Sequence, residues 1–240
     1  MKKSLYVSAI AFVAMVFLCC PQKGFASLVT VQFLGEVDSI VSSSNTYSWE
    51  TDGYFKAGDL FEGDYSYQSG QQPFGWGNPD VAGSYSKYKT EAIHFSVGSV
   101  SGAAAGGYLF VYDGYDNTQM DQYGFWANAW NDQLTASGYP YTLLSVGLAL
   151  YDTSETVFNT SALPLTVPDL DDFTSTRIEL IFGQGVHADG RTYDAYLYVS
   201  GKVTVLKQIA PIATPVPASM LLLGSGLIGL AGSGWRRMTR

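Results

Sequence analysis

Asp113, Asp116, Asn117 and Asp121 place four oxygen-bearing side chains close together in the chain, and carboxylate and amide oxygens are what a calcium ion takes as ligands. Their spacing departs from the EF-hand pattern, and Asp and Asn are equally good turn residues, so a bound calcium and an ordinary polar turn both fit. Asp169, Asp171 and Asp172 pose the same choice. A little further on, Gly124-Phe125-Trp126-Ala127-Asn128-Ala129-Trp130-Asn131-Asp132 interleaves two indoles with amides and a carboxylate. Together with Trp76, such a mixture can stack on sugar rings and hydrogen-bond their hydroxyls, or can pack at strand ends with the ring buried and the polar edge wet. A concave patch bearing Trp126 and Trp130 beside carboxylates would speak for carbohydrate chemistry, and a flat tyrosine-rich face for a structural role.

Other catalytic chemistry has little to draw on. The two histidines, His94 and His187, stand far apart in the chain, and His94 falls among apolar alternates, where local pairing is the ordinary fate of an imidazole. Paired carboxylates for glycoside hydrolysis cannot be read from sequence spacing. No nucleophile elbow, phosphate loop or metalloprotease helix is written in the chain. Apart from the calcium candidate, no cofactor is implied, and the expectation is a protein without an enzymatic reaction of its own.

The two ends carry targeting chemistry. Met1-Lys2-Lys3-Ser4 is basic, Leu5 to Cys20 is uncharged and apolar, and Gly24-Phe25-Ala26 is a small-x-small site before Ser27. This is the pattern of a signal peptide cut between Ala26 and Ser27, handled by the general secretion machinery. Both cysteines lie inside it, so the exported chain contains no thiol and folds on its core alone. Six of the thirteen basic residues belong to the ends, which leaves seven against all twenty-one acids and a formal charge of −14 for the middle. Such a surface repels nucleic acid and anionic lipid and suits an extracytoplasmic domain.

At the other end, Ala218 to Trp235 is free of charge, and a helix of that length spans about 27 Å, close to the hydrocarbon thickness of a bilayer. Pro217 opens it; Trp235, Arg236 and Arg237, with Arg240 beyond, form an interfacial and cationic stop that keeps this end in the cytoplasm. Ser225, Gly229 and Ser233 make a stripe of small residues that would let another helix approach closely.

Thr214-Pro215-Val216-Pro217-Ala218, then Leu221-Leu222-Leu223-Gly224-Ser225-Gly226-Leu227, then Arg236-Arg237, resembles the PEP-CTERM sorting tail in its Pro-x-Pro-Ala variant. In that family a proline motif, a membrane helix and a basic cluster are recognised by an exosortase, an integral-membrane cysteine protease or transpeptidase of Gram-negative bacteria that make extracellular polysaccharide. Val216 stands where the family more often has Glu, and Thr214 where it has Val. The resemblance implies that Pro215, Val216, Pro217 and Ala218 are the sorting motif. The tail would hold the exported chain in the inner membrane until the motif is processed, after which the protein belongs to the cell surface or extracellular matrix. The segments Ala162 to Phe173 and Gly58 to Tyr67 are similar to stretches of proteins of that family whose activity is unassigned.

The elements that position these residues are strands. Val29, Val31 and Phe33, then Phe61, Tyr65 and Tyr67, then Ile93, Phe95 and Val97 each keep one parity. Tyr108 to Tyr112, Leu144 to Leu150, Ile178 to Phe182 and Tyr193 to Leu206 repeat the signature, with Gly201 as a bend or bulge in the last. Turn residues separate them, and no amphipathic helix intervenes. Eight to ten strands are predicted, in an all-β antiparallel β-sandwich of jelly-roll type. The expected organisation is a signal peptide over 1–26, an extracytoplasmic domain over 27–207, a Pro-rich linker with the sorting motif over 208–217, and a membrane helix with a basic tail over 218–240. Two functions fit: a structural or interaction component of the cell surface, or a secreted carbohydrate-binding or carbohydrate-cleaving protein in contact with extracellular polysaccharide.

Overall fold

The computed structural model describes residues 27–43, 53–74, 77–114, 120–129, 132–186 and 193–209. They form the strands β1 (Leu28–Ser42), β2 (Leu60–Gln68), β3 (Tyr85–Lys89), β4 (Ala92–Val97), β5 (Val100–Ala104), β6 (Tyr108–Tyr112), β7 (Asp121–Asn128), β8 (Thr135–Ser137), β9 (Thr142–Asp152), β10 (Ser175–Val186) and β11 (Tyr193–Ile209), with a single 3-10 turn at Leu170–Asp172. Alternation is clearest in β1, where Val29, Val31 and Phe33 are buried while Thr30, Gln32 and Leu34 between them are half exposed. Among the described residues no helix is long and apolar enough to cross a membrane; the stretch Ala218 to Trp235, where one is expected, lies outside them.

The strands form one antiparallel sheet in the order β3-β6-β7-β9-β10-β11-β1-β2-β4-β5-β8. Laid flat, β1 would sit about 19 Å from β7 and β2 about 24 Å from it, four and five strand spacings away. Yet the rings of Phe33 in β1 and Phe125 in β7 are 5.6 Å apart, and those of Tyr65 in β2 and Phe125 are 4.9 Å apart. The sheet is therefore curled until its two wings face each other. The bend is built into the central pair β1 and β11, whose register shifts twice, between Leu34 and Gly35 and between Val37 and Ser39. An unpaired residue on one strand bends it and increases its twist. The second shift leaves Asp38 unpaired beside Gly201, where the sequence places its bend.

The enclosed core is aromatic. Phe33, Phe61, Tyr65, Tyr123, Phe125 and Phe182 are all fully buried, and each such side chain contributes about 1.5–3 kcal/mol by leaving water. Tyr65 and Tyr123 solve the problem of their hydroxyls by hydrogen-bonding each other across the wings at 2.9 Å. Glycines face several of these rings: a Cβ on Gly63 would lie 2.4 Å from Phe33 Cζ, and one on Gly102 would lie 2.3 Å from Phe95 Cζ. One end of the curl is filled by the connection between β9 and β10, where Phe158 packs near Tyr123 and the Ser161 hydroxyl meets those of Ser84 and Ser86. Phe55 and Tyr139 pack against Phe182 at the other end.

The all-β antiparallel expectation holds, with two differences. Hydrogen bonding runs unbroken through a single curled sheet where two separate sheets were expected. The described residues form eleven strands, more than expected, because β3, β5, β7 and β8 carry weak or polar alternation: the inward residues of β3 are Ser86 and Tyr88, and β5 reads Val-Ser-Gly-Ala-Ala.

Candidate functional site

Trp126 belongs to β7. Tyr123, Phe125 and Ala127 point into the core, and the period of two therefore sends Trp126 to the outer surface. There it stands opposite Tyr108 of β6 on one side and Gly147 of β9 on the other. A Cβ on Gly147 would lie 2.2 Å from Cε3 and 2.5 Å from Cζ3 of the indole. The ring thus lies over the Gly147 backbone, a seat that exists only because Gly147 has no side chain. Gly147 has no positive φ to require glycine; space for the indole requires it.

Two open grooves flank Trp126. The smaller, about 80 Å³, is lined by Tyr151, Arg177 and Glu179 as well as the indole. The larger, about 220 Å³, runs over Asn128, Ser145 and Ile181 to Tyr196 and Tyr198. Cross-strand register explains the assembly: Trp126, Gly147, Glu179 and Ser200 face one another in one row, and Asn128, Ser145, Ile181 and Tyr198 in the next. Arg177 pairs with Glu179, whose carboxylate also accepts a hydrogen bond from the Ser200 hydroxyl at 3.2 Å. Burial pushes the Tyr151 and Tyr108 phenols up, with nearby Glu179 and Asp132 adding to the effect and Arg177 opposing it at Tyr151. Both phenols are therefore neutral donors at physiological pH. Beyond Trp126 the surface continues through stacked Tyr85 and Tyr112, 5.2 Å apart, and the Lys87 ammonium 4.6 Å from the Tyr108 ring. This outer surface is rich in tyrosine, with Trp126 between its two open grooves.

The calcium candidate comes out differently. Asp113 and Asp121 are buried, and their carboxylates accept backbone N–H groups: Asp113 from Gly83 at 3.1 Å, Asp121 from Gly114 at 3.2 Å and from Phe158 at 2.7 Å. Desolvation raises the Asp121 pKa, with Asp113 adding to it, while the N–H donors at Phe158, Gly114 and Val157 hold it down. These two carboxylates cap loop backbone. Among the described residues no three His, Cys, Asp or Glu side chains gather as metal donors; Asp116 and Asn117 lie outside them. Asp169 accepts from the Asp171 N–H and caps the 3-10 turn.

On the outer surface of the other wing, His94 pairs with Asp64 at 3.0 Å in a groove of about 320 Å³ that also touches Glu62 and Ser96. His94 is thus satisfied locally. Ser27 begins the sheet, its carbonyl accepting from the Ser69 N–H at 2.9 Å. Ala26, Trp76, Trp130, Pro215 to Ala218, the Ser225, Gly229 and Ser233 stripe, and Arg236, Arg237 and Arg240 all lie outside the described residues, as does His187.

The sequence reading singled out Trp126 but not Gly147, Arg177, Glu179, Tyr196 and Tyr198. Each sits on the outward parity of a strand, yet only the register of β7, β9, β10 and β11 brings them to one place. No protein-family model matches the chain, and neither a curated protein nor a solved structure matches it significantly.

Proposed function

We propose that this chain is an exported protein of the cell surface or extracellular matrix of a Gram-negative bacterium, with a structural or interaction role and no reaction of its own. Its partners in delivery are the general secretion machinery and an exosortase; the C-terminal helix anchors it in the inner membrane until Pro215-Val216-Pro217-Ala218 is processed. The curled sheet, sandwich-like in having two facing wings, is the part that remains.

The observation that carries this reading is where the sheet begins and ends. Its pairing starts at Ser27, and β11 runs to Ile209, pairing with β1 as far as Thr30 opposite Ile209. Along the chain, both expected cuts fall outside the described strands, one just before β1 and the other a few residues after β11. The order of proline motif, apolar stretch and arginines supports the same route, and the wide outer faces of the sheet supply surface for interaction.

Mass-spectrometric mapping of both termini of the protein recovered from surface material of its host tests the proposal. The expected product starts at Ser27 and ends within Pro215 to Ala218. An intact Arg240 would make the tail a permanent anchor and remove the exosortase from the account.

A further inference from the structure

We propose that the outer face of β3, β6, β7, β9 and β10, with the adjoining Tyr196 and Tyr198 of β11, is a binding platform for an acidic, uronate-bearing polysaccharide, with Trp126 as its central stacking ring. The inference rests on the reading of an exported interaction protein and names the ligand class of its face.

Three observations meet there. The first is the posture of Trp126. The indole covers Gly147 and lines an open groove on each side, where a ligand can reach it. The face of an aromatic ring is the negative pole of its quadrupole, which attracts the polarised C–H groups on the flat side of a pyranose. A stabilising role alone, an aromatic ring covering a strand glycine, is also met at Gly63 and Gly102. Those rings, Phe33 and Phe95, are buried, whereas Trp126 is half-buried and lines an open groove on each side.

The second is the arrangement of polar groups. Ring and hydrogen-bonding groups alternate along the grooves: Arg177, Glu179 and the Tyr151 phenol on one side, Ser145 and the Tyr198 phenol on the other. Saccharide hydroxyls are both donors and acceptors and need such mixed partners. An apolar protein partner would leave the groups unpaired, at a cost.

Charge is the third and decides the class of sugar. The middle of the chain has seven basic residues against twenty-one acids. Lys87, Lys89 and Arg177, three of the seven, project from these strands, where Glu179, paired with Arg177, is the one outward acid; Asp132 near Tyr108 and Asp194 on β11 lie at the margins of the face. Glu36, Asp38, Glu62 and Asp64 crowd the outer side of β1 and β2 instead. A polyanion is repelled by most of this protein and is accepted on the Trp126 face, so local charge orients as well as attracts it.

The test is calorimetric titration of the full chain, purified in mild detergent, with an oligogalacturonate and with a neutral cello-oligosaccharide of equal length. The expected result is binding of the oligogalacturonate, weakened by added salt, with a change in tryptophan fluorescence. Trp126→Ala should lower its affinity about tenfold or more. The outward-facing pair Lys87→Gln and Lys89→Gln, which leaves the core untouched, should weaken binding severalfold and flatten its salt dependence. Far-UV circular dichroism of both variants should match the parent. No binding of the oligogalacturonate, or binding that both variants retain in full, would overturn the site. Equal or tighter binding of the neutral oligosaccharide would overturn the acidic class. Self-association of the chain abolished by Trp126→Ala, without saccharide binding, would assign the face to a second copy. Terminus mapping fails independently: an intact Arg240 leaves this titration standing, and a correctly processed protein that ignores the sugar leaves the sorting reading standing.

Discussion

Three buried tyrosines show how much depends on a single hydroxyl. Tyr65 and Tyr123 pair across the wings at 2.9 Å, while the Tyr67 hydroxyl, buried beside them, has no partner at hydrogen-bond geometry. Burial pushes all three phenols up, so none ionises in the working range. Removing one member of the pair strands the other, at about 1–3 kcal/mol, whereas removing an unpartnered hydroxyl relieves a desolvation cost. Tyr65→Phe should therefore lower the thermal midpoint and Tyr67→Phe should leave it unchanged or raise it, as differential scanning calorimetry of the two variants would show. Asp152 supplies the pH dependence. Its carboxylate accepts from the Thr156 and Ser154 N–H groups and their hydroxyls, and these hold its pKa below the ordinary value against the opposing effect of burial. An acid whose folded pKa is depressed contributes stability that is present above the unfolded value and lost as pH falls through the folded one. Asp152→Asn should thus be less stable than the parent at neutral pH, with the gap closing below about pH 4, read from thermal melts across that range. Asp121 carries the opposite sign, because its pKa is raised: its contribution is greatest at low pH and declines as pH rises through the folded value.

Strands with strong alternation were legible, and strands that lean on their neighbours were not. Val29, Val31 and Phe33 announce β1 without help, because a face that must be buried is written in apolar side chains at period two. β3 buries Ser86 and Tyr88, whose oxygens are satisfied by Ser161 seventy-odd positions later; nothing local marks those positions as inward. β7 misleads in another way: its outward Trp126 and Asn128 are as conspicuous as its inward Tyr123 and Phe125, so the residues alone do not say which side is buried. The bend at Gly201 was legible as a bend but not in its consequence. A Cβ there would lie 2.4 Å from the Glu36 carbonyl oxygen and 3.0 Å from the Phe61 ring, and the contact with backbone cannot be relieved by turning a side chain. Gly201→Ala should push β11 from β1 at the point where the sheet curls, costing about 1–3 kcal/mol or more and lowering the denaturation midpoint in urea.

For the molecule as a whole, the central place of β1 and β11 decides what can be removed. In a sheet whose first and last strands lay at the edges, trimming either end would peel away a strand and leave the rest standing. Here those strands pair with each other over most of their length and carry the two register shifts that bring the wings together, so everything on either side depends on them. Among the described residues, every strand of that sheet lies between Leu28 and Ile209. Deleting residues 210–240 should therefore leave the far-UV spectrum and the thermal midpoint within a degree or so of the full chain, since ordinary changes away from the packed core stay within about 0.5 kcal/mol. Shortening β11 from Lys202 onward should abolish cooperative unfolding altogether. Were the tail deletion to melt markedly earlier than the full chain, residues beyond Ile209 would have to pack against the sheet, and release by a cut in the proline motif would no longer leave a self-sufficient domain. The contrast between these two truncations separates a delivery tail from a structural one without reference to any partner enzyme.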